Sequence, residues 1–197
     1  MLKLFSLAAG LLACSLVFAQ SDQSTSKGGW GMEPDSFNGI ILGKTLEDNG
    51  IPPCPAGVGV VNHRDYAERC YLKGRRFIHV NGFPFDFAKE GMIDTDENGQ
   101  ITKIFLSFSQ SKFKDMADVL IERYGRPTSI SSRQVGNKIG ALFESSDLVW
   151  SGAVVEISAT ERVHKIDTSS LLVALKKDLR KSLEKRINES RETASKL

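Results

Sequence analysis

The sequence predicts an exported α+β protein built on an antiparallel sheet, with helices packed on one face. Three observations carry that prediction: a leader-like start, an even pair of cysteines after it, and two hairpin signals around one well-marked helix. The hairpin signals are Asp96-Glu97-Asn98-Gly99 and Ser151-Gly152. The predicted organisation is a signal peptide over 1–19, a flexible leader over 20–35, the α+β domain over 36–171 and a basic amphipathic helix over 172–197.

Residues 1–19, MLKLFSLAAGLLACSLVFA, hold one early cation (Lys3) and an apolar run. Val17 and Ala19 stand three and one residues before a cut ahead of Gln20. That layout is a secretory signal peptide, which places the mature chain in a periplasm or outside the cell. The alternatives are a membrane anchor, for which the stretch is at the short edge and is followed by a polar segment, and a lipid anchor: Leu11-Leu12-Ala13-Cys14 is similar to a lipobox, although the following SLVFA stays apolar. Cys54 and Cys70 then remain, and an even count in an oxidising compartment reads as a disulfide. No Cys-x-x-Cys is present, and a metal site would need His63, His79 or His164 to converge on both thiolates.

Elements follow in order. Residues 20–35, QSDQSTSKGGWGMEPD, are polar and glycine-rich. Phe37–Leu42 reads as a short strand, and Thr45–Gly50 as a turn or short helix with Asp48 closing a weak capping box. Arg76–Val80 reads as a strand, with Asn81-Gly82 a turn signal after it. The runs 86–95 and 100–109 form the first hairpin, with Thr102, Ile104, Leu106 and Phe108 on one apolar face. Ser111–Tyr124 is the helix: Phe113, Met116, Ala117, Leu120 and Tyr124 share a face, Ser111 caps the start, and Gly125 and Pro127 end it. Residues 128–139 read as a polar loop. The second hairpin is ALFESSDLVW joined to AVVEISAT, with Val155, Ile157 and Ala159 facing one way. Ser169–Leu175 suits a last strand, and Lys176–Arg191 a helix with Leu175, Leu179 and Leu183 on one stripe and a frayed end beyond.

Several stretches imitate functional motifs. GIILGKT (39–45) looks like a phosphate loop, but only three residues separate Gly39 from Gly43, the spacer is aliphatic, and Gly50 and two prolines preclude a following helix. Asp94-Thr95-Asp96-Glu97-Asn98-Gly99 copies the front of a calcium loop, yet the position for a bidentate glutamate is Phe105, so a hairpin turn is the reading. His63-Arg64-Asp65 lacks every other part of a kinase signature. No catalytic residue, cofactor or metal ligand is assigned. Residues 20–171 carry 17 basic and 20 acidic side chains against 8 and 4 in 172–197, so the body has no basic surplus for nucleic acid. The tail suits packing on the domain, with contact to anionic membrane or a partner helix as the alternatives.

Gly43-Lys44-Thr45-Leu46-Glu47-Asp48, LIERYGRP (120–127) and LVW (148–150) resemble short motifs of small bacterial envelope modules of the SmpA/OmlA and β-lactamase-inhibitor-protein-like type. That resemblance implies an α+β fold, often a tandem αβ repeat, in an envelope setting; it transfers no binding site. Lys44 stands where those modules have Met, and the Cys54–Cys70 loop has no counterpart among them. The function expected is therefore a non-enzymatic, exported binding or envelope-accessory protein, partnered by another envelope protein. The alternative is an enzyme inhibitor, or an enzyme whose site the sequence does not reveal.

Overall fold

The computed structural model describes residues 30–196, so the leader 1–19, Cys14 and residues 20–29 lie outside the described residues. Eight strands form one antiparallel sheet: β1 Tyr71–Lys73, β2 Ile78–Val80, β3 Gly91–Thr95, β4 Ile101–Ser109, β5 Ser129–Gly136, β6 Leu142–Ser151, β7 Val155–Thr160 and β8 Thr168–Leu175. Helix α1 spans Phe113–Tyr124 and α2 spans Lys176–Ala194. Spatial order is β1-β2-β3-β4-β8-β7-β6-β5. The chain thus makes a four-stranded meander and a helix, then repeats the pattern, and the two last strands, β4 and β8, pair at the centre.

One face of the sheet is the core. Thr102, Ile104, Leu106 and Phe108 are buried on it, as their alternation predicts, together with Val155, Ile157, Ala159, Leu171 and Val173. Helix α1 covers it with Met116, Ala117, Leu120 and Tyr124, and Trp150 donates its indole N–H to the Gly125 carbonyl at 2.8 Å. The chain before β1 also joins this core through Phe37, Ile40, Leu46 and Ile51. It is zipped to β4, because Gly43 N–H bonds the Ile101 carbonyl and Ile101 N–H bonds the Lys44 carbonyl.

Several expectations need correcting. Residues 30–35 are not free leader: Trp30 is buried edge-on against Tyr124 and donates to its carbonyl at 2.8 Å. Phe37–Leu42 is not a strand but a tight turn, with Asn38 and Gly39 both at positive φ and Phe37 exchanging backbone bonds with Ile40. Asn-Gly is the residue pair that such a turn selects. Asn81 builds no turn; it is fully buried and holds the Cys70 amide and the Tyr66 and Glu68 carbonyls. Ser111 does not cap α1, since its hydroxyl bonds Ser109. Residues 129–136 form β5 rather than loop, an edge strand whose two faces are both exposed and which therefore shows no alternation.

The tail differs most. Residues 172–175 belong to β8, and α2 runs helical to Ala194 without one buried residue. A second helix packed like α1 would need the core face of β1–β4. Phe37, Ile40, Leu46 and Ile51 already join the core there, and α2 stays off the core face, with Lys103 Nζ of β4 donating to Ser182 Oγ at 3.4 Å.

Candidate functional site

The other face of the sheet is uncovered over its middle strands. Strand register aligns one row across all eight strands: Leu72, His79, Met92, Phe105, Leu172, Ser158, Val149 and Ser129. Its centre is apolar. Met92, Phe105 and Leu172 are half-buried neighbours on β3, β4 and β8. Phe77 from the β1–β2 turn and Val163 from the β7–β8 loop wall them in, enclosing a groove of about 450 Å³. Asp94, Lys103, Ser107, His164 and Thr168 frame it. Lys103 Nζ lies 3.7 Å from Asp94, so the rim carries both charges side by side. His164 sits at the loop tip with φ of 58°, presented outward by a left-handed residue.

A neighbouring hollow shares Met92, Phe105 and Ser107 with the groove and is lined by His79 and by Glu90, a carboxylate held between two imidazoles. Glu90 Oε1 lies 2.6 Å from His79 Nδ1, and Glu90 Oε2 lies 3.1 Å from His63 Nδ1. His79 and Glu90 are partly exposed, whereas His63 has no exposed surface. The far nitrogen of His63 faces the Cys70 carbonyl at 3.2 Å. The imidazole acts as a strut between the Cys54–Cys70 loop and the start of β3.

Cys54 and Cys70 form the predicted disulfide. Of the three histidines, His63 does reach the sulfurs: its ligand nitrogen and both Sγ atoms lie within 4.8 Å of one another. His79 stops at Glu90, and His164 stands at the groove rim.

The imitation motifs resolve into turns. In GIILGKT the amides of Ile40, Ile41, Gly43 and Thr45 are bonded to Phe37, Asn49, Ile101 and Asp48. In the hairpin turn, Asp96 Oδ1 accepts from the Asn98 and Gln100 amides, each at 2.9 Å. His63–Asp65 is a single 3₁₀ turn.

Sequence reasoning missed the groove although its signal was present. The strand β4 alternation that puts Ile104 and Leu106 inward leaves Phe105 among Lys103 and Ser107, an aromatic on the polar face. Glu90 and Glu33 carried no local signal, because their partners are remote in sequence.

No protein-family model, curated protein or solved structure gave a match when compared with this chain.

Proposed function

We propose that this chain is a non-enzymatic binding protein exported to the bacterial envelope, which takes a segment of another envelope protein on the open sheet face. The observation that carries the reading is the half-buried apolar rung Met92–Phe105–Leu172 lining a groove of about 450 Å³ that Asp94, Lys103, Ser107, His164 and Thr168 frame. An exposed apolar patch with a polar rim is the usual form of a recognition surface. The rim favours a peptide over a fatty-acid anion. Asp94 beside Lys103 neutralises the cation that an anionic head would need, while offering donor and acceptor together to a backbone or polar side chain.

Export is supported by the leader and by the disulfide. The short resemblance to envelope modules of the SmpA/OmlA type points to the same setting. The enzymatic reading rests on His79–Glu90 in the hollow beside the groove. Against it, that carboxylate is spent on two imidazoles, and among the described residues no serine or cysteine is bonded to either ring.

A photo-crosslinking side chain at position 105 tests the proposal in intact cells, with position 119 on the exposed side of α1 as the control. A discrete envelope-protein adduct from position 105 alone is expected, lost when Leu172→Asp is added. Equal labelling from both positions, or none from position 105, overturns the reading.

A further inference from the structure

We propose that reduction of the disulfide converts this loop into a binding site for one Zn²⁺, held by Cys54, Cys70 and His63. The inference is independent of the groove and of its partner. Here the histidine is wholly buried, and its ligand nitrogen and the two sulfurs lie mutually within 4.8 Å. Two thiolates and one imidazole are a donor set that zinc selects, leaving the fourth tetrahedral position to water.

The surroundings of His63 match those of a ligand. Glu90 accepts from Nδ1 at 3.1 Å, which fixes the ring and leaves Nε2, on the Cys70 side, as the coordinating nitrogen. A carboxylate on the non-coordinating nitrogen is the common companion of zinc-bound histidine. Coordination at about 2.0–2.1 Å to nitrogen and 2.3 Å to sulfur requires the reduced sulfurs to part and Nε2 to give up the Cys70 carbonyl. Cys54 is partly exposed, which gives a reductant and the ion a way in.

The chemistry balances with a dithiol as reductant. Its two thiols transfer two electrons and two protons to the Cys54–Cys70 bond; the dithiol closes to a disulfide and the two cysteine thiols are released. Zinc then displaces both thiol protons to solvent and binds neutral His63 through Nε2. The ion closes the same loop that the S–S bond closed. The oxidised and metal-loaded forms are alternative staples at one place.

The test uses the full-length chain, purified oxidised, then reduced with a phosphine in metal-free buffer and titrated with Co²⁺. Thiolate-to-cobalt charge-transfer bands and tetrahedral d–d bands saturating at one ion per chain are expected, bleached by Zn²⁺ and absent from the oxidised chain. His63→Ala, shown by circular dichroism to be folded while oxidised, should bind Co²⁺ at least about tenfold more weakly; His63→Gln gives a second variant of similar size. Glu90→Gln should weaken binding by about tenfold, as loss of an outer-sphere partner does. Should the reduced chain lose structure, its recovery on adding Zn²⁺ supports the site. No cobalt bands, unchanged affinity in both His63 variants, or a reduced chain that Zn²⁺ cannot refold each overturn it.

Discussion

Glu33 fastens the N-terminal segment to the turn between β6 and β7. Its carboxylate accepts the amides of Ala153, Val154 and Val155 at 2.7, 2.7 and 2.5 Å. A Cβ at Gly152 would fall 2.2 Å from the Glu33 carboxyl carbon, so a side chain there would push the carboxylate off these amides. Burial pushes the Glu33 carboxyl up, but the three backbone bonds and the charge of Lys176 outweigh it and hold the group below its ordinary value. A carboxyl depressed by folding contributes its stability above the unfolded value, about 4.3, and loses it as pH falls through the lower folded value. Glu33→Gln should therefore be destabilised relative to the parent at pH 7, with the gap closing towards pH 3. Urea unfolding at the two pH values measures this, and a gap independent of pH would refute the ionic part of the argument.

At the scale of the element, what could be read depended on one-sided burial. The β3–β4 and β6–β7 hairpins and α1 each bury one face and expose the other, so their periodicity stands in the sequence. Strand β5 buries neither face and left no pattern. Helix α2 shows the converse: its stripe of Leu179, Leu183 and Ile187 is real, but Leu183 is 56% and Ile187 41% exposed. Periodicity reports an amphipathic element without naming what covers it. At 100° per residue, Arg180, Arg186 and Arg191 flank that stripe, while Asp178, Glu184, Glu189 and Glu192 occupy the remaining face. This arrangement suits an anionic lipid surface. Burying Leu183 and Ile187 would supply about 1.5–3 kcal/mol each, and each arginine near the surface about 1 kcal/mol. Co-sedimentation with vesicles rich in anionic lipid should exceed that with neutral vesicles, weaken with salt, and fall sharply in Leu183→Asp/Ile187→Asp. Equal sedimentation of parent and double variant would remove the membrane from the account.

Across the whole molecule, cohesion is uneven, and the disulfide sits where it is thinnest. From β3 to β5 the strands run five to ten residues, and the core packs against them. Strands β1 and β2 have three residues each, and the 54–70 loop beside them buries little apolar surface. That corner relies on polar ties: His63 between Glu90 and Cys70, Asn81 across three backbone groups, and Arg69 Nη1 and Nη2 on the Asn38 and Gly82 carbonyls at 2.9 and 2.7 Å. Such bonds contribute about 1 kcal/mol each when the loop is in place and nothing once it opens. Closing a loop of 16 residues' separation by S–S contributes about 3 kcal/mol through the unfolded chain. Cys54→Ala/Cys70→Ala, which removes the staple and the thiolates together, should therefore lower Tm by roughly 6–12 °C for a domain of this size. The loss should also be local. Amides of 54–82 should lose most of their hydrogen-exchange protection while those of β4 and β8 keep theirs, because opening the corner leaves the central strand pairs intact. Uniform loss of protection across the sheet would instead mean that the small meander and the core unfold as one unit, with the disulfide stabilising the whole fold.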